Sequence, residues 1–484
     1  MANINPSYAN FVWQETRPGR WERDIDEAEQ FYTTMAKVFE GSGRHFFAIT
    51  GHISLSVDVP QGWSHEELSQ RVEDALRKAW TKLRQEQPTI AAWVEYNVDE
   101  GKVSNGQTGV EWYNSDPPVH KLPTLYVITP PTNGKGKVCR DVVLRSPHDI
   151  IDGIGTLHLF DRLLTHASRI IAGGDSVPQF GSESANLGPP FRVAACIPPA
   201  LTAEQELRKE EIAAAKAAYR SNVDIARVPF KKGTVVPGKH QRVARMLSEA
   251  GTKELLAACK EAGVTPTHVF HAAVAVALQD LQTQTPESRS VRYISYSLVD
   301  ERSKFQEPFN TPKYAAGVYH SVSGKTLAVD LTIPAANDAG LQQRNEQFQK
   351  IVTQMKDFYY EVRNDKDNLP LAPSAWAAST PPYPVPGSDT SLPSVPAPNP
   401  TPSVSISSMG LVDRIISSRY GVLELYNPWV TGEELGTGLG VFLCAFRGQL
   451  SLSVAYNDAW HDEDEVGEFL AKCEEVVFRG FGLL

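Results

Sequence analysis

Several classes of protein are excluded by what this sequence has little of. Its 484 residues include five cysteines, an odd number, widely spaced and without a CxxC pair. A disulfide framework or a thiolate zinc site is not built from such spacing. The longest mainly apolar stretch, near residues 268–278, falls far short of the ~18 residues that a membrane span needs. Met1 to Arg20 has no basic segment followed by an apolar one, so no secretory signal is read and a cytoplasmic location is expected. Positive charge is in deficit, with 47 Lys plus Arg against 57 Asp plus Glu and a formal net charge of -10. That acidic excess repels a phosphate backbone and argues against a nucleic-acid partner.

Apolar residues are plentiful: 41% of the chain, including 9 Trp, 16 Tyr and 19 Phe, enough to fill large cores. At about 150 residues per domain the length suggests two or three units. Gly, Ser and Pro gather in 173–199. A capping box, Thr202-x-x-Gln205, then opens a strongly helix-forming run, Leu207 to Tyr219, whose apolar stripe is narrow. This places an N-terminal unit at 1–200, a crossover at 201–235 and a C-terminal unit at 236–484. Prolines crowd into 369–402, which reads as a long surface loop.

Each half mixes helical and β patterns. Ser64-x-x-Glu67 caps a helix with Leu68, Val72, Ala75, Leu76, Ala79 and Leu83 on one face. Short strands are expected at 124–129 and 142–145, and a helix over 153–171. In the second half, 441–446 and 450–456 form a hairpin turned by Arg447-Gly448. Strands and helices do not alternate strictly, so the pattern favours mixed α/β layers over an all-parallel sheet.

The segment richest in chemistry is Arg145-Ser146-Pro147-His148-Asp149-Ile150-Ile151-Asp152-Gly153. A strand enters a polar turn there and a helix leaves it, the kind of junction on which a rigid scaffold places reactive side chains. Asp152 suits the helix cap, and Gly153 permits close backbone approach. A neutral imidazole, with an ordinary pKa of about 6.5, accepts a proton from a hydroxyl near pH 7. A His and an Asp four apart also suit a metal, but no third ligand lies near and no metal site is assigned.

His148-x-x-x-Asp152-Gly153 resembles the HxxxDG signature of the CoA-dependent acyltransferase superfamily. That group includes chloramphenicol acetyltransferase, the plant BAHD enzymes, the condensation domains of peptide synthetases and fungal trichothecene O-acetyltransferases. Gln87-Pro88-Thr89-Ile90 is similar to its "HP-I-L" segment. Gly263-Val264-Thr265-Pro266-Thr267 is similar to its "G-V-T-x-N" element, and Ser405 to Gly410 to its Ser-rich strand. Pro147 replaces the first His of the condensation-domain motif, and the DFGWG element is missing. These departures lean toward the fungal trichothecene 15-O-acetyltransferase-like group.

The resemblance implies two chloramphenicol-acetyltransferase-like α/β domains around a central tunnel. It implies His148 as general base and acetyl-CoA or another acyl-CoA as co-substrate, with no tightly bound cofactor. A small-molecule alcohol, such as a terpenoid hydroxyl, is the expected acceptor, and the expected state is a monomer. Asp152 and Gly153 are expected to shape the loop, with Arg302 as the partner of Asp152. Ser407 or Ser408 is the candidate oxyanion donor. Three alternatives stay open: an amide- or ester-forming condensation enzyme with a carrier-bound donor, a CoA-independent cyclase, and a non-catalytic binding relative. His268 and His271 read as packing residues, whereas His45, His52, His320 and His461 are unassigned.

Overall fold

The computed structural model describes residues 6–93, 108–131, 136–174, 178–335, 341–384 and 394–483. Two sheets organise them. The first has the order Arg419–Tyr420, Leu423–Gly432, Ile49–Asp58, Lys137–Ser146, Thr124–Ile128, with every neighbour antiparallel. Its alternation sorts side chains cleanly: Val142 and Leu144 meet Leu157, Phe160 and Leu164 in one core, and Val143 meets Trp112, Tyr113 and Trp429 on the other face. Helices His65–Glu86 and Gly153–Ile171 cover the first face. The expected capping box forms, with Glu67 N donating to Ser64 Oγ at 3.2 Å and Ser64 N to Glu67 Oε2 at 2.9 Å.

The second sheet has the order Val404–Leu411, Leu439–Phe446, Gln449–Asn457, His240–Met246, parallel only at its first pair. Its core is built on helix Pro266–Asp280, where every residue from Val269 to Gln279 is buried. Apolar residues all round that helix demand cover on all sides, and helix Leu341–Asn364 and helix Glu463–Gly480 pack on it. The turn at Arg447-Gly448 closes the expected hairpin with positive φ at both residues, 52° and 74°. That is the turn whose twist matches paired strands.

The two halves interlock, because strand Leu423–Gly432 leaves the C-terminal part of the chain to pair with Ile49–Asp58. Helix Ala203–Ala218 buries no residue, as its narrow apolar stripe implies. One element differs from expectation: the stretch read as loop from 369 begins as helix Asn368–Ser379, with Pro373 inside it. Leu371, Ala372 and Trp376 are buried on one side of that helix, and this burial outweighs the backbone hydrogen bond that proline forfeits. Among the described residues no helix is long and apolar enough to cross a membrane.

Candidate active site

Every residue from Arg140 to Gly153 is buried, charged ones included. Polar groups are stable there only with partners. Strand Lys137–Ser146, longer at both ends than the pattern suggested, sets Ser146 opposite Ile49 and hands the chain to Pro147 and His148. Asp152 then caps helix Gly153–Ile171 from an extended backbone, its Oδ1 accepting from Gly155 N at 2.8 Å.

The same carboxylate is the hub of the site. Arg302 donates Nη2 to Oδ1 at 2.8 Å and Nη1 to Oδ2 at 3.0 Å, and Tyr319 N donates to Oδ2 at 2.8 Å. Burial alone would raise this carboxyl, but the Arg302 guanidinium and His320 hold it far below the usual carboxylate range. Arg302 also bonds Asp300 Oδ1 at 3.0 Å and Ala315 O at 3.2 Å. Gln87, at the end of helix His65–Glu86, fastens the same strap by donating to the carbonyls of Pro312 and Lys313 at 3.0 and 2.6 Å.

His148 is 5% exposed. Its imidazole lies flat on the Tyr32 ring, with centroids 3.9 Å apart and planes 4° apart, while Phe47 stands 5.9 Å away. The His320 ring is 5.5 Å from it. Nδ1 has no hydrogen-bond partner among the described residues. Burial first, and His320 second, push the ring's pKa down to about 3, so it is neutral at pH 7. Beside it, Asp149 accepts from the Thr33 hydroxyl at 2.8 Å, and burial raises its carboxyl to about 6.

Tyr296 is 42% exposed, yet its surroundings desolvate the phenol and raise its pKa. Glu434 and His45 share the combination: both are partly accessible, burial raises the Glu434 carboxyl, and burial with Arg145 lowers His45 to about 4. Beyond burial, Tyr296 raises the Tyr32 phenol, and His45 is among the groups that lower His148. Two outer cavities, about 760 and 500 Å³, lie by Trp63 and Ile170 and by Glu86 and Lys313; neither is lined by His148.

Of the residues singled out in the sequence, His148, Asp152, Gly153 and Arg302 converge. Gly153 faces Met409, whose Cε would lie 2.8 Å from an added Cβ. The Ser408 hydroxyl instead pairs with Thr267 at 2.9 Å, and Ser407 sits half-buried on the same strand. Tyr32, His320 and Trp376 belong to the cluster without any local signal in the sequence. His271 lies between the Tyr359 and Tyr293 hydroxyls, at 3.0 and 3.1 Å, consistent with packing.

No family model matches the chain. An O-acetyltransferase of Monascus ruber, pigM, is 26% identical over 96% of this chain and 86% of its own length. The solved trichothecene 15-O-acetyltransferase from Fusarium sporotrichioides superposes with a TM-score of 0.73 at 18% identity, covering 98% of this chain and 99% of that one. The chain is thus similar in sequence to a named O-acetyltransferase and in fold to the trichothecene enzyme. A further match in fold is the first condensation domain of the calcium-dependent antibiotic synthetase. It has a TM-score of 0.59 at 13% identity, covering 94% of this chain and 96% of the domain. The mixed α/β architecture is therefore the fold shared by these two solved proteins.

Proposed function

We propose that this chain is an acyl-CoA-dependent O-acyltransferase that acetylates a hydroxyl of a secondary metabolite, with His148 as general base. The observation that carries the reading is the buried imidazole, neutral at pH 7 in a loop pinned by the Asp152–Arg302 pair. The O-acetyltransferase name of the Monascus ruber relative supports the reaction class.

The chemistry follows from one ring. His148 takes the proton of the acceptor hydroxyl as that oxygen attacks the thioester carbonyl. The tetrahedral oxyanion collapses, the carbon–sulfur bond breaks, and the thiolate leaves with the proton held by the imidazolium. Burial keeps the base unprotonated, and the oxyanion formed in the same step offsets the charge that the imidazolium acquires. Asp152, already bound to Arg302, Tyr319 and Gly155, has no lone pair to spare for that proton; its role is to fix the loop. Ser407 or Ser408 is proposed as an oxyanion donor. The halves 1–200 and 236–484, joined by 201–235, are proposed to enclose a tunnel that passes His148.

Incubation with acetyl-CoA and a panel of terpenoid and polyketide alcohols, followed by mass spectrometry, tests the proposal. Acetyl esters with acetyl-CoA as donor are expected. Transfer only from an acyl-carrier protein, or transfer to amines alone, overturns it in favour of a condensation-type enzyme.

A further inference from the structure

The motif carboxylate does not touch the motif histidine; two other side chains connect them. Asp152 Oδ2 lies 3.7 Å from His320 Nδ1, and His320 Nε2 lies 3.0 Å from the Tyr32 hydroxyl. Tyr32 in turn carries His148 on its ring face at 3.9 Å. A carboxylate facing Nδ1 favours the tautomer with its proton there, so Nε2 accepts and the Tyr32 O–H donates. The phenol ring is thereby tied at its tip, and Phe31, Phe47 and Trp376 close around it, with centroids 5.1, 6.5 and 5.7 Å away. Trp376 also stands edge-on against His320 at 5.4 Å.

We propose that Tyr32, anchored by His320, is the positioning residue of His148: the tied phenol sets the plane of the imidazole and keeps water off one face. The proposal rests on His148 being the base. The groups that act on His148 come from each surrounding element: Tyr32 on helix Glu27–Phe39, His45 ahead of strand Ile49–Asp58, His320 on strand His320–Val322, and Asp152 on its own loop. Orientation of this kind is worth much in rate, since a misplacement of about 1 Å costs on the order of 100-fold. It also explains why Asp152 and Arg302 matter to a ring they do not touch.

The experiment uses the full chain and acetyl-CoA with water as acceptor. In that reaction His148 takes a proton from water, the carbon–sulfur bond breaks, and free CoA thiol is released beside acetate. Thiol release is measured for Tyr32→Leu, Tyr32→Phe and His320→Gln, and the His148 imidazole is titrated in each by NMR. Tyr32→Leu is expected to lower kcat about 100-fold with KM for acetyl-CoA unchanged. It should also raise the His148 midpoint, because water then reaches the ring. His320→Gln removes the anchor and frees the phenol, so it too should lower kcat, and it should raise the midpoint as water gains the ring. Tyr32→Phe keeps the stack and should stay close to wild type in midpoint, with a kcat loss of no more than about tenfold. Unchanged kcat and midpoint in both Tyr32→Leu and His320→Gln overturn the proposal. The NMR titration needs no turnover, so it tests the clamp even if His148→Ala shows that another group is the base.

Discussion

Asp152 and Arg302, 150 residues apart in sequence, meet through two parallel hydrogen bonds of 3.0 and 2.8 Å in the buried wall of the site. Paired charges of this kind are costly to bury and more costly to separate.

Removing the cation is therefore expected to do more harm than removing the anion. Arg302→Ala leaves the Asp152 carboxylate buried without its guanidinium, a loss of about 3–5 kcal/mol. Asp152→Asn keeps a capping side chain and leaves Arg302 with Asp300 at 3.0 Å, so its loss should be smaller. Urea unfolding of both variants measures the order; an Arg302→Ala protein as stable as wild type contradicts the pairing.

The pair also sets a pH dependence. The folded pKa of Asp152 lies far below its ordinary 3.8, through Arg302 and His320 acting against burial. A carboxyl lowered on folding adds stability that is complete above its unfolded pKa and is withdrawn as pH falls toward the folded value. The stability gap between wild type and Asp152→Asn should be flat from about pH 5 to 7 and narrow below about pH 4. Denaturation midpoints across that range give the answer, and a gap that widens on acidification refutes it.

Asp149 runs the other way. Burial raises its carboxyl from 3.8 to about 6, against the hydrogen bond from Thr33 and one from the backbone. Between those values the unfolded chain ionises first, so stability falls as pH rises. Asp149→Asn should gain up to about 3 kcal/mol over wild type at pH 7 and nothing below about pH 3.5. Equal stability at both pH values sinks this assignment.

Two glycines on the motif helix should respond differently to alanine. A Cβ on Gly155 would lie 2.4 Å from Ala315 O and 2.9 Å from Arg302 Nη2, both fixed by the Asp152 network. Gly155→Ala is expected to cost about 1–3 kcal/mol and to lower activity with it. A Cβ on Gly153 first meets the flexible end of Met409, so Gly153→Ala should be the milder change. Thermal unfolding with parallel turnover assays ranks them; the reverse order contradicts the placement of Arg302.

What the sequence discloses about this site is what is local in it. The strand, the turn with His148 and Asp152, and the helix after it lie within one short segment, and period and capping chemistry mark them. Arg302 came from the resemblance, since nothing in its own neighbourhood points to residue 152. Tyr32 and His320 could not be read, because 288 residues separate them and only tertiary packing brings their rings to His148. Gly155 carries no signal in its own neighbourhood; its use is to let the backbone at Ala315 pass close by. Helix Asn368–Ser379 was hidden by its prolines: composition argued for a loop, and burial of Trp376 against the cluster decided otherwise.

The most direct test of the account is the rate of acetyl ester formation by His148→Ala beside wild type, with folding checked by circular dichroism. A folded variant slowed by about 10²–10⁴-fold is the predicted result. A folded variant that transfers acetyl at the wild-type rate contradicts the account, since the proton would then be leaving the alcohol by another route.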